Sequence, residues 1–234
     1  MQISYHKHYS QYLGREMEFK VYGHTGTPVL ALPCRGGRFY DWEDHGMIAA
    51  AAQLIEAGKL QLFCADSTDW ESFTAEGAPR ARAEKAEAWF CYLTGELYPR
   101  ILAMNGCKKG AVLTAGTDLG AAHALRLRLR RPELFAGALC LSGDYEGSRY
   151  FGDVADDLVV RCGCAELVRC GCAAPADKVI LCAGRGPWEG DALPSTEAMA
   201  AVLGSTAEVW SEEVSHDWYW WARQFELLVQ RLLK

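Results

Sequence analysis

Five residues, Gly116-Thr117-Asp118-Leu119-Gly120, constrain the fold of this chain more than any other stretch. The apolar run at 110–115 precedes them and reads as a buried strand, and Ala121 to Arg130 follows and reads as an amphipathic helix. The chain therefore turns from strand to helix within a few residues. Glycine at both flanks has a physical reason. The central residue takes a strained backbone conformation, and a side chain at either flank would run into the neighbouring strand or helix.

The same pattern of strand and helix extends over the chain. Ile3 to Ser10 and Arg15 to Tyr22 read as two short strands joined around Gly14, the second supported by alternation at Met17, Phe19 and Val21. Pro28 to Pro33 is a continuous apolar run, as in a strand buried on both faces, and opens into the loop 34–43. A helix over 46–57, a strand over 60–65 and a long helical segment over 80–104 follow. In that segment Trp89, Phe90, Leu93, Leu97 and Ile101 recur at helical spacing and read as core, and Pro99 predicts a bend. Later come strands over 137–142, 178–183 and 207–210, and helices over 196–203 and 218–233; residues 144–177 read as an irregular excursion. Strands alternating with helices argue for an α/β fold, a mostly parallel sheet covered on both faces, in one domain over 1–234.

Half of the 234 residues are hydrophobic, enough for one large core, and a net charge of −6 gives no reason to expect nucleic-acid binding. No apolar run has the length of a membrane span, and the N-terminus lacks the apolar core of a signal peptide. Of ten cysteines, Cys64, Cys91, Cys140 and Cys182 lie in apolar runs as small hydrophobes. The expectation is a cytoplasmic protein with reduced thiols and no cofactor.

Strand, Gly-flanked turn and helix is the setting of a nucleophile elbow, whose usual pattern is G-x-S-x-G. The elbow runs on into residues 131–143, which read RPELFAGALCLSG; the loop 36–43 reads GGRFYDWE, and Ser215 to Trp218 precede the last helix. In these stretches, and in their order, the chain resembles the α/β-hydrolases of the esterase D and antigen 85 type. The resemblance spans nearly the whole sequence. It implies an α/β-hydrolase fold, carboxylic-ester hydrolase chemistry and a small-molecule ester or acyl substrate; it leaves the oligomeric state open. It places Asp118 at the nucleophile position, His216 at the general base and Glu189 at the acid, with Asp191 as the alternative acid. The oxyanion donors it implies are the backbone N–H of Leu119 and one from the 33–38 loop near Arg35 and Gly36. Arg35 or Arg38 is a candidate for holding an anionic group, and Asp217 reads as a helix cap.

The departure lies at the centre of the elbow, where the pattern has serine and this chain has Asp118. A carboxylate has no proton to give a base and is a poor nucleophile toward an ester. Thr117 and Ser142 do not replace the hydroxyl: the first points elsewhere, and the second reads as a local backbone partner. An elbow aspartate forms alkyl esters in haloalkane dehalogenases and epoxide hydrolases, but their accompanying tryptophan, loop and cap domain are missing here. Aspartate also suits a helix N-terminus and would sit as an ion pair beside His216. Two readings stand: a hydrolase of altered or weak activity, and a catalytically inactive homologue that binds or scaffolds. Separately, Arg161-Cys162-Gly163-Cys164 recurs as Arg169-Cys170-Gly171-Cys172, four thiols that suit either a soft metal or reversible disulfides.

Overall fold

The computed structural model describes residues 1–153, 155–173 and 177–233. Eight strands form one sheet: β1 (Ile3–Ser10), β2 (Arg15–Tyr22), β3 (Thr27–Leu32), β4 (Leu60–Ala65), β5 (Val112–Thr117), β6 (Phe135–Leu141), β7 (Val179–Ala183) and β8 (Glu208–Val209). Their order is β1-β2-β4-β3-β5-β6-β7-β8. β1 and β2 pair antiparallel, β2 meets β4 antiparallel, and every later pairing is parallel. This is the α/β-hydrolase architecture that the sequence predicts.

The helices fall on two sides. After β3 come three short segments, α1 (Asp41–Asp44), α2 (Met47–Ala50) and α3 (Ala52–Glu56). After β4 come α4 (Pro79–Tyr92) and α5 (Tyr98–Asn105), joined by a π-helical turn at Leu93–Leu97. A bend is expected near Pro99, and this π-helical turn falls just before it. Proline has no N–H for the carbonyl one turn back, so the ladder widens instead of continuing. Helix α6 (Leu119–Arg130) follows β5, and α10 (Ala192–Val202) and α11 (Trp218–Leu232) follow β7 and β8.

Residues of β3, β4 and β5 are buried almost throughout, because helices cover both faces. One core layer holds Trp89, Phe90, Leu93, Leu97 and Ile101 against Leu125 and Phe135. The other holds Trp42, Met47 and Ile55 against Trp221, Phe225 and Leu228. The aromatics of 89–101 are core, as their spacing predicts.

Two readings change. The helix expected over 46–57 is two short segments, α2 and α3, divided at Ala51; α1 precedes that range, with Gly46 at φ 84° between α1 and α2. The excursion expected to be irregular contains three short helices, α7 (Ser148–Phe151), α8 (Asp157–Val160) and α9 (Cys164–Arg169), although Val154 and 174–176 lie outside the described residues. Asp156 caps α8, accepting from the N–H groups of Leu158 and Val159. Phe151, Val159 and Leu167 anchor the three segments in the interior, which is why they are ordered without long periodicity.

The elbow sits at the centre of the sheet, where Gly116 pairs with Leu32 on one side and Cys140 on the other. A Cβ on Gly116 would lie 2.1 Å from the carbonyl oxygen of Gly120, and one on Gly120 would lie 2.0 Å from that of Pro33. Both obstacles are backbone, so no rotamer change relieves them. Gly120→Ala should therefore lower stability by about 3 kcal/mol, read as a reduced urea midpoint at unchanged denaturant slope; a loss within error of zero would mean that α6 has room to move off β3.

Candidate active site

The parallel strands end on the same edge of the sheet, and their following loops supply the charged groups gathered there. Arg35 follows β3, Asp69 follows β4, Asp118 follows β5, Ser142 and Asp144 follow β6, Glu189 follows β7 and His216 follows β8.

Asp118 has φ 52° and ψ −126°, the strained backbone expected of the turn centre, and its N–H bonds Leu141 O at 3.0 Å. Its carboxylate does not cap α6. The favourable cap inferred from residue type is not formed, because this backbone conformation projects the side chain outward. Oδ2 accepts from the backbone N–H of Arg35 at 3.2 Å and Oδ1 from its guanidinium at 3.2 Å. His216 Nε2 lies 3.8 Å from Oδ1.

His216 Nδ1 is 3.2 Å from Glu189 Oε2. A carboxylate only accepts, so Nδ1 carries the proton and donates, and Nε2 faces Asp118. Glu189 is buried, and its second oxygen accepts from Ser142 Oγ at 2.9 Å and Gly184 N–H at 2.7 Å. Trp221 Nε1–H donates to Ser142 Oγ at 3.1 Å, and its ring meets that of His216 edge-on at 4.8 Å. Ser142 is thus a partner of side chains 47 and 79 residues away and not the local backbone partner expected of it. Asp191, the alternative acid, is exposed and pairs with Arg149. Asp217 caps α11 as expected, accepting from Trp220 N–H at 3.1 Å.

The loop 33–38 is held from below. Gly36 N–H donates to Asp69 Oδ2 at 2.9 Å, so this expected oxyanion donor is taken by a buried carboxylate. Asp69 Oδ1 meets His123 Nε2, on α6, at 2.9 Å. Arg38 is tied to Asp66 at 2.7 Å and Glu18 at 2.8 Å, leaving Arg35 as the arginine of this loop that faces the site. Leu119 N–H opens α6, where no intrahelical acceptor exists. Burial, helped by Asp41, Asp118 and Asp69, pushes the Cys34 thiol up to about 12.

A cavity of about 350 Å³ opens over these groups. Beyond Asp118, Glu189 and His216 its walls include Arg35, Asp144, Arg149, Tyr150 and Trp188. Tyr150 O–H donates to Asp144 Oδ2 at 3.1 Å and accepts from the Arg35 guanidinium at 3.1 Å. Burial, then the neighbouring Asp144 charge, raises the Tyr150 phenol, which stays protonated. Tyr150, Asp144 and Arg149 are not among the site residues that the sequence predicts. They lie in the excursion 144–177, where no periodicity marks a residue as facing the site.

A family model described as putative esterase matches residues 10–231. Among solved structures, the chain is similar to an S-formylglutathione hydrolase from Agrobacterium tumefaciens, with a TM-score of 0.76 at 18% identity, covering 99% of this chain and 94% of that one. MPT51 of Mycobacterium tuberculosis gives a TM-score of 0.72 at 15% identity, covering 100% and 98%. A ferulic acid esterase from Anaeromyces mucronatus gives 0.74 at 13%, covering 99% and 90%. At these identities the likeness is one of fold. No curated protein matches the chain at the sequence level.

The Asp69–His123 pair ties the 33–38 loop to the elbow helix, and its loss should be felt in stability. Burial alone would raise the Asp69 carboxyl, but His123, Gly36 N–H and Arg126 outweigh it and hold it below the ordinary range. The folded pKa is below the unfolded one, so the contribution is full above about pH 4 and lost as pH falls through the folded value. Burial also holds the His123 imidazole below its ordinary range, so at neutral pH the pair is a carboxylate hydrogen-bonded to a neutral ring, and Asp69→Ala should cost about 2–3 kcal/mol there. The gap from the parent should narrow below about pH 4; equal gaps at pH 7 and pH 3 would contradict an ionised Asp69.

Proposed function

The chain belongs to the putative esterase family, and from that premise we propose that it is a carboxylic-ester hydrolase of altered, weak activity. Its base, the His216–Glu189 pair, works on water in place of a serine hydroxyl. The observation that carries this reading is the orientation of His216: Nδ1 is engaged by a buried carboxylate with two further hydrogen bonds, and Nε2 faces the cavity.

The chemistry follows from that orientation. A water at Nε2 gives up a proton to the imidazole as its oxygen bonds the ester carbonyl carbon. The carbonyl oxygen becomes an oxyanion and accepts from Leu119 N–H and Arg35 N–H. For this, Arg35 N–H must leave Asp118 Oδ2, while the guanidinium keeps the aspartate charge balanced. Collapse of the tetrahedral species expels the alkoxide, which takes the proton from His216. Glu189 holds the imidazole in the right tautomer and stabilises its transient charge. The site forms no serine-type acyl-enzyme, and turnover is slow because water is not positioned covalently and one oxyanion donor starts out occupied.

A second reading, a non-catalytic binding protein on the same fold, is favoured by that same contact of Arg35 N–H with Asp118. The carboxylate then sits at Arg35 N–H, where a substrate oxyanion would accept, and that donor is satisfied internally.

Short acyl esters and thioesters separate the two. The hydrolase reading expects slow turnover that His216→Ala removes, and Asp118→Ser should raise it by about 100-fold or more, since it restores a hydroxyl beside the base. No turnover by the parent chain, with a gain in Asp118→Ser, would establish the binding reading. A folded Asp118→Ser protein without gain on any ester would overturn the assignment of these residues altogether.

A further inference from the structure

The repeated Arg-Cys-Gly-Cys stretches end up in unlike surroundings, and the second forms a built dithiol. Cys162 and Cys164 are buried, their thiols donating to Leu158 O at 3.4 Å and Ala122 O at 3.2 Å. Cys170 and Cys172 are exposed. Four thiols around one metal are therefore not assembled, and among the described residues no group of three or more His, Cys, Asp or Glu side chains is placed to hold an ion.

The second pair sits in the turn that ends α9. Gly171, at φ 70°, donates its N–H to Val168 O at 3.0 Å, and Cys172 N–H donates to Leu167 O at 2.9 Å. These two bonds define a Schellman turn with glycine at its left-handed position. The turn folds the chain back on itself, so that Cys172 Sγ lies 3.7 Å from the carbonyl oxygen of Cys170. Both cysteines line one surface cavity of about 480 Å³, together with Leu167, Arg130, Arg161 and Asp157. The cavity is on a different part of the surface from the one over Asp118 and shares no lining residue with it.

We propose that Cys170 and Cys172 are a redox-active dithiol that closes to an intra-turn disulfide by exchange with a small disulfide entering this cavity. The proposal does not depend on ester hydrolysis. The Cys170 thiolate attacks one sulfur of the small disulfide, forming a mixed disulfide and releasing one thiolate. Cys172 then loses its proton, attacks the Cys170 sulfur and releases the second thiolate. The protein pair gives up two electrons, the small disulfide takes them, and the two protons end on the two released thiols. Contact with the Cys170 side chain raises the Cys172 thiol, while Arg161 pulls the other way. The buried pair is not available for this exchange. Burial raises both thiols, Cys164 most strongly.

The test is intact-mass and peptide-mass analysis of the folded protein after exposure to 2-hydroxyethyl disulfide. The expected product has lost two hydrogen atoms, carries one bond between Cys170 and Cys172, and returns to the starting mass with dithiothreitol. Cys172→Ser should stop at a mixed disulfide on Cys170, and Cys162→Ser should behave as the parent. Stable mixed disulfides on the parent protein, bonds between chains, or a bond from Cys170 to any other cysteine would each overturn the proposal.

Discussion

The whole site depends on how closely α6 approaches the sheet. Gly116 and Gly120 let the helix start directly above β3 and β5, with backbone where side chains would otherwise stand. That approach forces Asp118 into its positive-φ conformation and aims its side chain out of the sheet edge. It also sets Leu119 N–H and the 33–38 loop on either side of the same point. A helix begun one turn later would leave a longer, looser connection and no fixed place for the central side chain. The strain of the elbow is held by the packing around it: Leu119, Ala121, Ala124 and Leu125 are all buried.

The charges at this edge are arranged so that each carboxylate has donors. Glu189 is deeply set, with a ring N–H, a hydroxyl and a backbone N–H sharing its two oxygens. An unpaired carboxylate at that depth would be heavily penalised. Asp118 is satisfied differently, by the main chain and side chain of one residue, Arg35. That arrangement joins the elbow to the loop after β3, and Tyr150 joins Arg35 onward to Asp144 and the α7 region. From beneath, Asp69 links the same loop to His123 on α6. The loop is thus fixed to the elbow from both sides, which holds Arg35 N–H at the aspartate.

The cysteine repeats show how one local sequence takes two structures. Each Arg-Cys-Gly-Cys stretch flanks α9, the first at its N-terminus and the second at its C-terminus. Gly163 is extended, at φ −97° and ψ 135°, and introduces the helix; Gly171 is left-handed and ends it. The six-residue helix α9 lies between the two glycines, which carries one pair into the core beside α6 and leaves the other at the surface. Sequence identity between the repeats says nothing of that difference, because burial is set by what α9 packs against.

The sequence alone determined the strands and their alternation with helices, the turn at 116–120, and the order of Asp118, Glu189 and His216 along the chain. These are local matters: apolar runs, side-chain periodicity and glycine at positions that tolerate nothing larger. The resemblance carried by ordered motifs extended this to the fold and to Glu189 ahead of Asp191. What only the tertiary structure decided are contacts between residues far apart in the chain. Residue type suggested that Asp118 caps its helix, and the elbow backbone turned it instead onto Arg35, 83 residues earlier. Ser142 reads as a strand-end serine until Glu189 and Trp221 are brought to it. Gly36 reads as an oxyanion donor until Asp69 rises beneath it from the loop after β4. In each case the polar group had several partners of equal chemical merit, and the packing of the sheet and its helices selected the one within reach.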